Sequence, residues 1–265
     1  FGCIPETFMF GAPTMFTMMS QHESFETTDF SSVISFNVGS APVPVPLLNL
    51  YASRGVTFCQ GYGLTETSPY VTVLSSKFAT QKIGSAGQNL MFTTVRIVDG
   101  QGQSLANGER GEICVKGPNV MKGYWNRPEA TDEAIDKNGW FHTGDVGYFD
   151  EDNFLFICDR IKDMVISGGE NIYPAEVESV LFEHDAIAEV AVIGSPDEKW
   201  GELLVAVIVL QPGMNIGLEQ LHSFVGKKLA RYKLPRKLHI VDALPRNPAG
   251  KVQKFILKEQ FNRLD

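Results

Sequence analysis

Three stretches of the chain differ in how apolar and polar residues alternate. In residues 1–83, short apolar runs are punctuated by Gly and Pro. Positions 33–38 predict a short buried strand, closed by Gly39-Ser40-Ala41-Pro42. Residues 44–51, with Pro early and apolar positions at helical spacing, predict a helix. Residues 55–60 predict a second strand that runs into Gly61-Tyr62-Gly63. Strand, helix, strand and glycine loop in that order indicate an α/β layer. From 84 to 161 the apolar period shortens to two: residues 95–98, 111–116 and 146–149 predict strands between Gly, Asn and Asp turns, with one short helix near 128–135. This stretch predicts a small antiparallel sheet or barrel. From 162 to 265 helical spacing returns. Residues 174–181 open a helix with Pro and acids in its first turn, 188–193 and 203–210 predict strands, 218–232 an amphipathic helix, 237–241 a further strand and 253–264 a closing helix.

The expected fold class is therefore mixed α/β and α+β. It comprises the tail of a large α/β domain (1–83), a β-barrel-like subdomain (84–161) and a compact C-terminal α+β domain (162–265). The Phe- and Met-rich opening, without an initiator Met or a signal-peptide pattern, reads as core from within a longer protein.

Composition narrows the function classes. Apolar residues make up 43% and charged residues 20% of the 265, which suits an ordinary globular chain and excludes overall disorder. The net charge of −8 argues against a nucleic-acid partner, which requires a dense basic face. No apolar run approaches the roughly 18–20 residues of a membrane span, and no basic amphipathic helix suggests a membrane surface. Cys3, Cys59, Cys114 and Cys158 show no CxxC spacing and read as reduced thiols, the usage expected of a cytoplasmic protein.

Four segments carry candidate chemistry. In Gly61-Tyr62-Gly63-Leu64-Thr65-Glu66-Thr67, glycines allow close backbone approach to a ligand and Tyr62 offers a flat face for a base. Thr65 can donate to a phosphate oxygen, and Glu66 can hold Mg²⁺ through one carboxylate. A strand-to-helix turn with capping Thr and Glu reads equally well. Second, a hairpin centred on Asp152 would bring His142-Thr143-Gly144-Asp145 to the same open end as Asp159-Arg160. A carboxylate there can accept from both ribose hydroxyls and a guanidinium can reach a phosphate; a structural Asp–Arg pair is the alternative. Third, Arg160-Ile161-Lys162-Asp163 is a short polar link followed by Gly168-Gly169, either a hinge or an ordinary surface segment with a tight turn. Fourth, the loop Pro245 to Lys251 presents one lysine, suited to developing negative charge on phosphorus or simply to solvent.

In this order, these segments resemble the adenylate-forming superfamily of acyl-CoA synthetases, luciferase-type enzymes and peptide-synthetase adenylation domains. The Gly111-Glu112-Ile113 to Gly123-Tyr124 segment and Gly168-Gly169-Glu170-Asn171-Ile172-Tyr173-Pro174-Ala175-Glu176-Val177-Glu178 complete the likeness, the latter looking most like fatty-acyl or aryl CoA ligases. The resemblance implies ATP/AMP, Mg²⁺ and CoA as cofactors and a carboxylic acid, of the fatty-acid kind, as substrate. It implies that Thr65 contacts phosphate, Glu66 the magnesium and Tyr62 the adenine, within a nucleotide loop that includes Gly61 and Gly63. Asp145 would hold the ribose hydroxyls, with Arg160 supporting ribose or phosphate. Lys162 would be the hinge, Lys251 the lysine of adenylation, and Gly168-Gly169 the loop of the thioester step. Ser40-Ala41-Pro42 is the loosest match, beside the nucleotide and acyl pocket.

The family's Ser/Thr/Gly-rich phosphate loop is absent, so the chain is expected to be a C-terminal half that needs the upstream half of its own large domain and does not turn over alone. A carrier-protein-loading adenylation enzyme and a non-catalytic nucleotide- or CoA-binding module remain as alternatives.

Overall fold

Residues 7–39, 43–248 and 250–262 are described by a computed structural model. The chain divides into two units, Phe1–Ile157 and Cys158–Asp265.

The first unit opens with alternating elements: β1 (Thr7–Gly11), α1 (Pro13–Ser20), β2 (Val33–Val38), α2 (Val45–Ser53) and β3 (Phe58–Gly63). A helix in each connection lets consecutive strands run in the same direction, and β1/β2 and β2/β3 pair in parallel. The chain then turns back, so β4 (Tyr70–Val73) pairs antiparallel with β3 and β5 (Gln88–Asn89) with β4, completing the order β1-β2-β3-β4-β5. An aromatic cluster holds the helices to this sheet. Phe16 stacks on Phe36 at 5.0 Å and meets Phe58 edge-on at 4.9 Å. Tyr51 is fully buried there; its hydroxyl donates to the Phe16 carbonyl at 2.8 Å, and burial pushes the phenol up to about 12.

Four further strands, β6 (Thr94–Val98), β7 (Gly111–Lys116), β8 (Phe141–Phe149) and β9 (Leu155–Arg160), form a second sheet in that order, with α3 (Pro128–Ala134) between β7 and β8. The sheet is open, with β6 and β9 at its edges, so the barrel-like stretch does not close. Its apolar face gathers Val95, Ile97, Ile113, Val115 and Leu155 around Val71 of β4. Leu155 also bridges to Gly87, with amide–carbonyl distances of 2.8 Å to Gly87 and Ala86, which ties the two sheets of this unit together.

The second unit holds β10 (Val165–Ser167), β11 (Glu170–Ile172), α4 (Pro174–Phe182), β12 (Ile187–Asp197), β13 (Gly201–Leu210), α5 (Leu218–Val225), β14 (Lys237–Ile240) and α6 (Lys254–Phe261). Its sheet runs β11-β10-β13-β12, with β14 parallel to β13. The unbroken apolar run in β13 has a structural cause, because both faces of that strand are covered. Leu204, Ala206 and Ile208 pack with Val177 and Leu181 of α4 and Leu221 and Val225 of α5. Leu203, Val205 and Val207 pack on the opposite side with Leu257 and Phe261 of α6. Lys254 joins α6 to α4 through an ion pair with Glu178 at 2.7 Å.

The helix expected over 218–232 stops at Val225. Gly226 follows as its C-cap, donating to the His222 carbonyl at 2.9 Å, and a separate helical turn forms at Arg231–Lys233. Among the described residues, no helix is long and apolar enough to cross a membrane.

Candidate active site

The Gly-Tyr-Gly segment is the end of β3, and residues Thr65–Thr67 make one helical turn before β4. Thr67 is the pin of this turn. Its fully buried hydroxyl accepts from the Leu64 amide at 2.9 Å and lies 2.8 Å from the Pro69 carbonyl, while Ser68 reverses the chain with φ +56°. That geometry leaves Thr65 exposed, with no side-chain partner among the described residues. Segment 119–124 straps the turn from outside. Asn119 donates to the Thr67 carbonyl at 3.0 Å, the Met121 amide to the Glu66 carbonyl at 2.7 Å, and the Tyr124 hydroxyl to Glu66 Oε1 at 3.0 Å. Glu66 is thus fixed through one carboxylate oxygen, and the other makes no hydrogen bond within the described residues.

Asp145 lies on β8 and is 5% exposed. The Tyr62 hydroxyl donates to its Oδ2 at 2.8 Å, joining two candidates 83 residues apart. The sequence placed Tyr62 and Asp145 in separate motifs; the fold brings them into one hydrogen bond. Around Asp145 the backbone departs from a regular ladder. Its amide donates to Thr143 Oγ1 at 3.1 Å, and Thr143 donates to the Ile113 carbonyl at 2.7 Å.

The remaining described candidates belong to the second unit. Arg160 ends β9 and is followed by a helical turn at Ile161–Asp163 that carries the exposed Lys162. Lys258 of α6 donates to the Lys162 carbonyl at 3.4 Å and sits 4.0 Å from Asp163. Asp159 caps the start of α4 by accepting from the Ala175 amide at 2.8 Å. Gly168 (φ +61°) and Gly169 (φ +87°) are the two central residues of the hairpin turn between β10 and β11, a geometry in which both positions favour glycine. Lys251 projects from a small loop. Its amide donates to Asn247 Oδ1 and its carbonyl accepts from the Asn247 amide, both at 2.9 Å. Arg246 braces the same loop through the Gly250 carbonyl at 2.7 Å and Glu189 at 2.8 Å. The ammonium group is exposed and unpaired among the described residues. Ser40, Ala41 and Pro42 lie outside the described residues, as does Cys3.

Among the described residues, two sets of groups could concern a metal. Glu66, with one free carboxylate oxygen beside the exposed Thr65 hydroxyl, fits the habit of Mg²⁺, which takes one or two carboxylates together with phosphate and water. Glu112, Cys114 and His142 also lie close together, with ligand atoms within 4.8 Å of one another. Burial, reinforced by the Glu112 charge, pushes the Cys114 thiol up to about 12, and both Glu112 oxygens are engaged by His142 and the Gly144 amide. This second set is a protein-internal network.

Sequence reasoning missed Glu112, Asn119 and Tyr124 as site residues. Glu112 and Tyr124 were visible within matching segments, but their contacts depend on sheet register and on a strap 58 residues from Glu66.

The profile of the AMP-binding enzyme family matches residues 5–125, and that of the AMP-binding enzyme C-terminal domain matches residues 176–251. A feruloyl-CoA synthase of Amycolatopsis sp. is 46% identical over 255 residues, covering 96% of this chain and 52% of the relative. A long-chain-fatty-acid–CoA ligase of Mycobacterium tuberculosis, FadD13, is 46% identical over 250 residues, covering 94% and 49%. Among solved structures, the o-succinylbenzoate CoA synthetase of Bacillus subtilis in complex with its acyl-adenylate superimposes with a TM-score of 0.86 at 41% identity, over 95% of this chain and 51% of that one. ATP-bound MatB from Rhodopseudomonas palustris gives 0.89 at 37% identity, over 97% and 51%. The chain spans about half the length of the curated relatives it matches.

Proposed function

The chain belongs to the AMP-binding enzyme family, and on that premise we propose that the full-length protein is an AMP-forming acid–CoA ligase acting on an apolar carboxylic acid of the fatty or aryl type. The observation that carries this reading is the Tyr62–Asp145 hydrogen bond, which joins the Gly-Tyr-Gly segment to the candidate ribose carboxylate in a fold shared with acid–CoA ligases. The acid's carboxylate oxygen attacks the α-phosphorus of ATP, a P–O bond forms, and the bond to pyrophosphate breaks. The CoA thiolate then attacks the acyl carbon, forming the thioester and releasing AMP.

In this reading Asp145 accepts from the ribose hydroxyls, while Tyr62 holds that carboxylate and lends its ring to the adenine. Thr65 donates to a phosphate oxygen, and Arg160 supports ribose or phosphate. Glu66 holds Mg²⁺ through the oxygen that Tyr124 leaves free. When bound, the ion neutralises phosphate charge. Lys251 places its ammonium against the charge developing during adenylation. Lys162 is the hinge residue, and the Gly168-Gly169 turn lines the path of CoA.

The adenylation half-reaction can be tested alone. With the full-length protein, Mg-ATP and a panel of fatty and aryl acids, labelled pyrophosphate is expected to enter ATP only when a suitable acid is present. Tight AMP binding without exchange on any acid would instead identify a binding module.

A further inference from the structure

The strand that carries Asp145 is bulged at that position. Glu112 of β7 lies opposite Val146 of β8, and Cys114 lies opposite His142, so residues 143–145 all face the single residue Ile113. Two extra residues in one strand push the chain out of the ladder and re-aim the side chains there. Gly144 takes φ +69°, and the amides of Gly144 and Asp145 bond to side chains.

Side chains hold the bulge in place. Thr143 Oγ1 accepts from the Asp145 amide and donates to the Ile113 carbonyl. Glu112 spans the bulge: its Oε1 accepts from the Gly144 amide at 3.1 Å, and its Oε2 lies 2.8 Å from His142 Nδ1. A carboxylate only accepts, so the His142 proton is on Nδ1. One carboxylate group therefore holds both the residue that enters the bulge and the Gly144 amide, immediately before Asp145. Charge-assisted bonds of this kind are stronger than neutral ones.

We propose that Glu112 is a positioning residue for nucleotide selection: by bracing the 142–145 bulge it sets the direction in which Asp145 meets the ribose, and so the preference for a nucleotide carrying both ribose hydroxyls. The inference rests on the assignment of Asp145 to the ribose.

The test uses the full-length protein and compares kcat/KM for ATP with that for 2′,3′-dideoxy-ATP in acid-dependent adenylation. Asp145→Ala should collapse the ratio toward one. Glu112→Ala should lower it by about tenfold or more, as loss of a charged hydrogen bond implies. Glu112→Gln, which keeps an acceptor for the Gly144 amide, should restore most of it. Glu112→Asp keeps the charge but withdraws it by one methylene; it should also lower the ratio, and it decides the matter if the alanine variant does not fold. If Asp145→Ala collapses the ratio while Glu112→Ala and Glu112→Asp slow both nucleotides equally, Glu112 is merely structural and the proposal is wrong. An unchanged ratio in Asp145→Ala would overturn the ribose assignment and the proposal with it.

Discussion

Lys251→Ala in the full-length protein is expected to lower the rate of acyl-adenylate formation by about 10²–10³-fold, the usual cost of removing one preorganised charge or donor from a developing anion. Thioester formation from supplied acyl-adenylate should stay close to that of the unaltered protein, because the role proposed for the ammonium is confined to the first step. The structure makes this a clean substitution. Asn247 holds residue 251 only through the lysine's own amide and carbonyl, and Arg246 closes the loop independently through Gly250 and Glu189, so alanine leaves these bonds in place. Single-turnover measurements of the two half-reactions check the prediction. Equal loss in both would remove Lys251 from its assigned role.

Gly63→Ala is expected to be the most damaging small substitution in the Gly-Tyr-Gly loop. A Cβ at Gly63 would lie 1.7 Å from the Pro69 carbonyl oxygen and 2.7 Å from its carbon, both backbone atoms of the facing chain. The hairpin can relieve this only by opening, at a cost at or above the ~1–3 kcal/mol of ordinary overpacking. A fall in melting temperature on the order of 10 °C follows for a unit of this size. Gly61→Ala provides the contrast: its Cβ would meet the Tyr70 ring at 2.4 Å, and a side chain can rotate away. Nucleotide affinity should fall with stability in Gly63→Ala, since the same hairpin sets Thr65 and Glu66. Thermal melts of the two variants with and without AMP measure both effects. Equal melting temperatures for the two would contradict the packing argument.

The parts of the fold legible from sequence were those with strong local signals. The apolar run in β13 stood out because both its faces are covered, and α2 and α4 announced themselves through early prolines and one apolar face. β1 and α1 carry no clear periodic signal, since their Phe and Met residues lie on exposed as well as buried sides: Phe8 is 63% and Met18 71% exposed, whereas Phe16 is fully buried. The overlong helix at 218–232 shows a different failure. Lys and Leu residues continue the helical pattern past Gly226, but the regular helix ends at Val225 and gives way to turns over 226–229.

The candidate site divides in the same way. Tyr62, Glu66, Asp145 and Lys251 were visible as residue types in ordered motifs. Their partners were not, because the Tyr62–Asp145 bond, the Glu66–Tyr124 bond and the Glu112 brace each join residues at least 30 positions apart. Such pairs are fixed by how strands register and where a bulge falls, and local sequence pattern does not encode them.

If the acid is activated as an acyl-adenylate, its carboxylate oxygen carries the record of that step. The full-length protein would be given a substrate acid labelled with ¹⁸O in the carboxylate, together with Mg-ATP and CoA, and the products would be weighed by mass spectrometry. Attack on the α-phosphorus predicts one ¹⁸O in the phosphate of AMP for each acyl-CoA formed. Label in inorganic phosphate with none in AMP would mean attack at the γ-phosphorus and an acyl-phosphate route, and adenylate formation would be excluded.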